Sequence, residues 1–198
     1  MEQEIKNLEL RKKLQEICTM RPMEHQRNTA EGDAEMCEWA KSLPAKIAAL
    51  HGHSIGHSIE LVKLVSPTDD EWHQHCFMWA LGITREDYKV IRAEVSTKVK
   101  CDENFIKYMI DEGILKPLTM AVVGCLVIYF HTDGIATHAG IWSPGVVSKW
   151  GYQNQPIWKH GKWELPLSYG EVARIYEMPP KEDILAALKE WGLEGMPN

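Results

Sequence analysis

The chain has 198 residues, 44% hydrophobic and 25% charged, which is the balance of an ordinary globular protein and not of a disordered or fibrous one. Its 28 acidic side chains outnumber 22 Lys and Arg, and a net charge of -6 argues against broad binding to nucleic acid or to an anionic membrane surface. The longest apolar stretch, MAVVGCLVIYFH, is interrupted by Gly124 and is too short to span a bilayer as a helix. The charged start MEQEIKNLELRKKLQEI lacks the apolar core of a leader, so a cytoplasmic location is expected, with non-classical, phage or secretion-system delivery as the other routes. Five cysteines (Cys18, Cys37, Cys76, Cys101, Cys125) without close pairs read as free thiols and not as a disulfide framework.

In chain order, Leu8, Leu10, Leu14 and Ile17 fall near helical spacing and predict an amphipathic helix over about 3–19, broken at Arg21-Pro22. A second helix is expected from Asp33 to Ser42, with Met36, Trp39, Ala40 and Leu43 as its apolar stripe and Pro44 as its end or the start of a third. HGHSIGHS, residues 51–58, reads as a loop, and IELVKLV, residues 59–65, as a strand closed by Ser66-Pro67. A short apolar helix follows within WHQHCFMWALGI. Thr84 with Asp87 forms a capping-box pattern for the next one, and Asp102–Glu112 is helical up to the stop signal Gly113.

From Ala121 to Tyr176 the character changes to strand-like runs between turn signals: VVGCLVIYF, HTDG, IATHAGIW, SPG, VVSKW, then KWELPL and EVARIYE. This predicts a small, mostly antiparallel meander. Pro179-Pro180 ends it, and KEDILAALKEWG closes the chain as a helix. Helices first and sheet second give an α+β fold, with a helical N-terminal extension over 1–58 and the main domain over 59–198.

Two residues carry the chemistry of a nucleophilic site. Cys76 opens the short apolar helix, and His138 stands within an otherwise apolar strand, where an imidazole needs a partner. A thiol and an imidazole brought together would form the pair that acyl transfer needs, cysteine attacking a carbonyl and histidine shuttling the proton. The bland alternatives are an inert buried thiol and a satisfied core histidine. His73-x-His75-Cys76 and the histidines of HGHSIGH lack the four-ligand spacing of a zinc site, so no metal is expected. Trp142 and Trp150 lie in the strand half, where they would wall a substrate groove beside His138, and His75 would help position substrate.

The order HCFMWALG, GCLVIYF, THAGIW, VVSKWG resembles the NlpC/P60-type papain-like family, over roughly Trp72 to Tyr176. The resemblance is to a divergent branch with NCxAWALG, HAG and SKxG elements. It implies a nucleophile on a helix packed against an antiparallel sheet with the histidine on a core strand, positions matched by Cys76 and His138. The chain departs from the family pattern at His75, where Asn or Asp is usual. A third residue that orients the imidazole is also implied. The region VVSKWG offers Ser148 and Lys149; a neutral imidazole donates its N–H, so Ser148 suits the role better than an ammonium, with His160 as the alternative.

The resulting expectation is a cysteine peptidase or amidase, a papain-like thiol hydrolase that needs no cofactor and takes a peptide or protein substrate. An acyltransferase or a glutamine deamidase would use the same pair. The reading from another class is a catalytically inactive binding or inhibitory module, its partner surface supplied by the N-terminal helices.

Overall fold

The computed structural model describes residues 2–19, 30–53, 56–96, 98–151 and 155–194. Six helices and seven strands follow one another as α1 (Glu2–Thr19), α2 (Ala30–Ala48), β1 (Glu60–Lys63), α3 (Cys76–Ala80), α4 (Arg85–Glu94), α5 (Glu103–Asp111), β2 (Pro117–Leu118), β3 (Leu126–Phe130), β4 (Ala136–Trp142), β5 (Val146–Lys149), β6 (Ile157–His160), β7 (Val172–Tyr176) and α6 (Lys181–Glu194). The fold is α+β. The strands form one antiparallel sheet in the order β1-β6-β5-β4-β3-β7-β2. Strands β3 to β6 run as a meander, and β7 returns to the far side of β3. The expected break at Arg21-Pro22 lies outside the described residues.

The sheet is covered on both faces, which explains why LVIYF is an uninterrupted apolar run. Leu126, Ile128 and Phe130 face the cluster of Phe77, Phe105, Ile106, Met109 and Leu188 contributed by α3, α5 and α6. Val127 and Tyr129 face Leu10, Leu14, Leu43 and Ile47 of α1 and α2. The second layer is pinned by Arg11, whose guanidinium donates to the carbonyls of Leu165 (3.2 Å) and Gly170 (2.5 Å) in the turn before β7. Gly170 is required there. Its φ is +102°, and a Cβ would run into the Phe130 carbonyl.

Local signals behave as their chemistry dictates. Thr84 and Asp87 form a reciprocal capping box on α4, and the Asp102 carboxylate caps α5. Gly140 of HAG lies where β4 approaches β5 closely: a Cβ there would sit 2.7 Å from the Val147 carbonyl.

Two expectations are corrected. The second helix does not stop at Ser42 or Pro44 but runs through Pro44 to Ala48, because Leu43, Ile47 and Leu50 continue its buried stripe. KWELPL is not a strand. Glu164 accepts the N–H groups of Gly161 (2.8 Å) and Ser58 (2.9 Å), which folds a turn, and Pro166 has no N–H to give to a ladder. The strand is formed earlier, by Ile157–His160. Among the described residues no helix is long and apolar enough to cross a membrane.

Candidate active site

The candidate residues divide between the two faces of the sheet. Cys76 is the first residue of α3, which packs against β4 and β5. Its thiol is buried, and burial pushes it up to about 11. The main-chain N–H groups of Ala139, Phe77 and Cys76 itself oppose that shift, as does the Lys149 charge.

Lys149, the last residue of β5, is fully buried. Burial brings it down to about 7, against the opposing influence of the Cys76 thiolate and the Glu71 carboxylate. Its ammonium also donates over a long 3.5 Å to the Gly151 carbonyl. His75, the residue that caps α3, is held down to about 4 by burial, with Lys149 adding to the shift and Asp102 opposing it. Its ring stands edge-on to Phe77 at 5.9 Å. Cys76, Lys149 and His75 therefore belong to one electrostatic neighbourhood. Cys101 extends it as a second buried thiol whose pKa is raised by burial and by Cys76.

The structure does not bring His138 to Cys76. In the β3–β4 register Tyr129 lies opposite His138 and Ile128 opposite Ala139. Paired residues share a face, so Ala139 turns toward α3 and His138 toward α1 and α2. There His138 is fully buried and stacks flat on Tyr169, ring centroids 4.0 Å apart and planes 4° from parallel. Neither ring nitrogen has a hydrogen-bond partner. Burial, with His160 adding, pulls it well below its ordinary value.

Ser148 does not orient His138 either. It bonds His160, Oγ to Nε2 at 2.9 Å. The other ring nitrogen of His160 lies 2.8 Å from the Gly161 carbonyl, which can only accept. Nδ1 of neutral His160 therefore carries the proton, and Nε2 accepts from the Ser148 hydroxyl. Burial holds His160 down to about 4. Trp150 stands edge-on to His160 (5.6 Å) and to Tyr169 (6.3 Å), and Trp142 packs into the same layer. Both tryptophans thus lie on the His138 face, away from the thiol.

Sequence reasoning placed Lys149 second to Ser148. The period-2 rule carried the missing signal: adjacent residues of one strand face opposite ways, so one of Ser148 and Lys149 had to join Cys76 and the other the opposite layer. Among the described residues no group of three or more His, Cys, Asp or Glu is arranged to hold a metal ion. Comparison with protein-family models, with curated proteins and with solved structures finds no match.

Proposed function

We propose that this chain is a cysteine hydrolase of amide bonds on a divergent papain-like frame, with Cys76 as nucleophile and Lys149, in place of His138, as the proton carrier. The observation that supports it is the setting of Cys76 at the first turn of α3, its upward shift opposed by neighbouring main-chain N–H groups and by the charge of Lys149, a buried lysine brought down to about 7. Near neutral pH about half of such a lysine is an uncharged amine, able to accept a proton.

In the reaction, the thiol proton passes to the Lys149 amine as the sulfur attacks the carbonyl carbon of a peptide amide. The main-chain N–H groups of Cys76 and Phe77, at the start of α3, supply donors for the charge that develops on the carbonyl oxygen. The C–N bond then breaks, the Lys149 ammonium protonates the departing amine, and a thioester remains on Cys76. Water, deprotonated by the same lysine, releases the acid and restores the thiol. With an added amine in place of water the same thioester gives acyl transfer.

p-Nitrophenyl acetate tests this directly. It should acetylate Cys76, read by peptide mass spectrometry. Lys149→Met should slow that acetylation at least about tenfold, the lower end of what a positioned base supplies, and His138→Phe should leave it unchanged. Dependence on His138 and not on Lys149 overturns the assignment of the base. If Cys76 stays unmodified while Cys18 and Cys37 react, there is no nucleophile and the binding-module reading takes over. Product analysis with and without glycinamide separates hydrolysis from acyl transfer.

A further inference from the structure

On the opposite face of the sheet, the end of α1, residues Trp150, Gly151 and Gln155 and the turn before β7 line a cleft of about 410 Å³. Gln15, Cys18, Trp150, Gln155, Ser168 and Tyr169 line it, and none of its described lining residues is charged. The volume is that of a small-molecule or short-peptide site. Its walls are held in place. Gln15 accepts the Ser168 N–H at 3.0 Å, and the Thr137 hydroxyl donates to the Tyr169 carbonyl at 2.7 Å.

The walls also have hydrogen bonds left unmade. Gln155 is 6% exposed and Trp150 2%, yet Nε2 of the one and Nε1 of the other have no partner. Behind Tyr169 lies His138, with both ring nitrogens unpartnered. Of the seven buried side-chain nitrogens without partners among the described residues, six belong to this side of the sheet: those of Trp39, Trp150, Gln155 and Trp158, and the two of His138. An unpaired buried donor is destabilising by roughly 1–3 kcal/mol, and the two on Trp150 and Gln155 belong to residues that line the cleft, where a bound acceptor would relieve that cost.

We infer that this cleft is a binding site for an uncharged, amide-bearing ligand, a short stretch of peptide main chain, separate from the Cys76 site. The unmade bonds are mostly donors, and carbonyl oxygen is their complement. A carboxylate would meet no cation among the described lining residues, and burying an unpaired charge is far less favourable than burying an amide. The Gln155 side chain is itself an amide and matches both edges of a peptide group, Nε2 donating to its carbonyl and Oε1 accepting from its N–H. The Trp150 and Tyr169 rings, set edge to face, supply flat walls for planar peptide units.

Cys18 provides the readout, because it lines the cleft and its labelling involves no chemistry at Cys76. The rate of Cys18 alkylation by iodoacetamide is measured by peptide mass spectrometry against rising N-acetyl-glycyl-glycinamide and, separately, N-acetyl-glycyl-glycine. The uncharged peptide should slow Cys18 at least fivefold with saturation and leave Cys37 unaffected, while the free acid should need at least ten times the concentration. Gln155→Leu should abolish the protection, measured against that variant's own unprotected Cys18 rate, and raise Tm because it removes an unpartnered donor. Absence of saturable protection by either peptide, or protection that survives in Gln155→Leu, overturns the site. Tighter binding of the free acid overturns the uncharged ligand class. A lowered Tm in Gln155→Leu overturns the premise that Nε2 lacks a partner.

Discussion

The two faces of the sheet solve the burial of polar groups in opposite ways. Toward α3, the buried titratable side chains are shifted first by burial and partly offset by neighbours: Lys149 by the Cys76 thiol and Glu71, and His75 by Asp102. Toward α1 and α2, a set of aromatic and imidazole nitrogens is buried without partners, under a helical layer held by the Arg11 guanidinium. The first face buries a thiol and a lysine whose shifts each partly offset the other's, the arrangement on which the proposed proton transfer rests. The second leaves its donors unmet, as a site awaiting a ligand does. Electrostatic offset and hydrogen-bond deficit are different signatures, and one sheet carries both.

The comparison breaks most sharply if the layers prove to be independent folding units. Phe105 is fully buried in the α3-side core, and Phe105→Ala should lower stability by about 3–5 kcal/mol. Because β3 contributes alternate residues to both cores, far-ultraviolet circular dichroism and tryptophan fluorescence should report the loss at one shared urea midpoint. Two separate midpoints would mean that the N-terminal layer melts by itself, and the sheet would no longer couple the faces.

A smaller effect is expected at the clamp on the second face. Arg11→Met keeps the stem and removes the donors to Leu165 and Gly170, which should lower stability by about 2–3 kcal/mol, the range for bonds to a charged donor together with carbonyls left unpaired. The same change should speed Cys18 alkylation, because the turn carrying Tyr169 loses its tie to α1. A loss under about 0.5 kcal/mol would place Arg11 among ordinary surface cations and remove the clamp from the argument.

The elements were legible where one short-range rule decided them. The capping box at Thr84, the carboxylate cap at Asp102 and the helical stripe of Leu10 and Leu14 each depend on neighbours a few residues away. The meander of β3, β4 and β5 followed from its turn signals. The site was legible only by residue type. Cys76 and His138 both occupy the expected kinds of element, but which way His138 faces is set by its register with β3. That strand is buried on both sides, so its sequence has no polar alternation to mark a face. KWELPL misled for a related reason: it reads as a strand, but Leu165 is buried in a turn organised by Glu164, whose partner Ser58 lies 106 residues away.

The subtlest test concerns pH, and it separates the faces by single residues. His75, His138 and His160 are all held below their ordinary value of 6.5 by burial. Below pH 6.5 the unfolded chain therefore takes up protons that the folded chain refuses. Stability is full above that pH and falls as pH drops toward 4, with a slope approaching about 1.4 kcal/mol per pH unit for each histidine. His138→Phe keeps an aromatic ring on Tyr169 and removes two unpartnered nitrogens. At pH 8 it should leave stability unchanged or slightly raised, and at pH 5 the variant should exceed the wild type by about 2 kcal/mol, because one refused proton is gone. His160→Phe should behave differently. It gives up the bonds to Ser148 and Gly161 and should lose about 1–2 kcal/mol at pH 8 before any gain in acid. Urea midpoints at pH 8, 6.5 and 5 for the three proteins measure all of this. An unchanged acid slope in His138→Phe would mean that His138 finds a proton partner in the folded chain, and the contrast between the two faces would lose its principal residue.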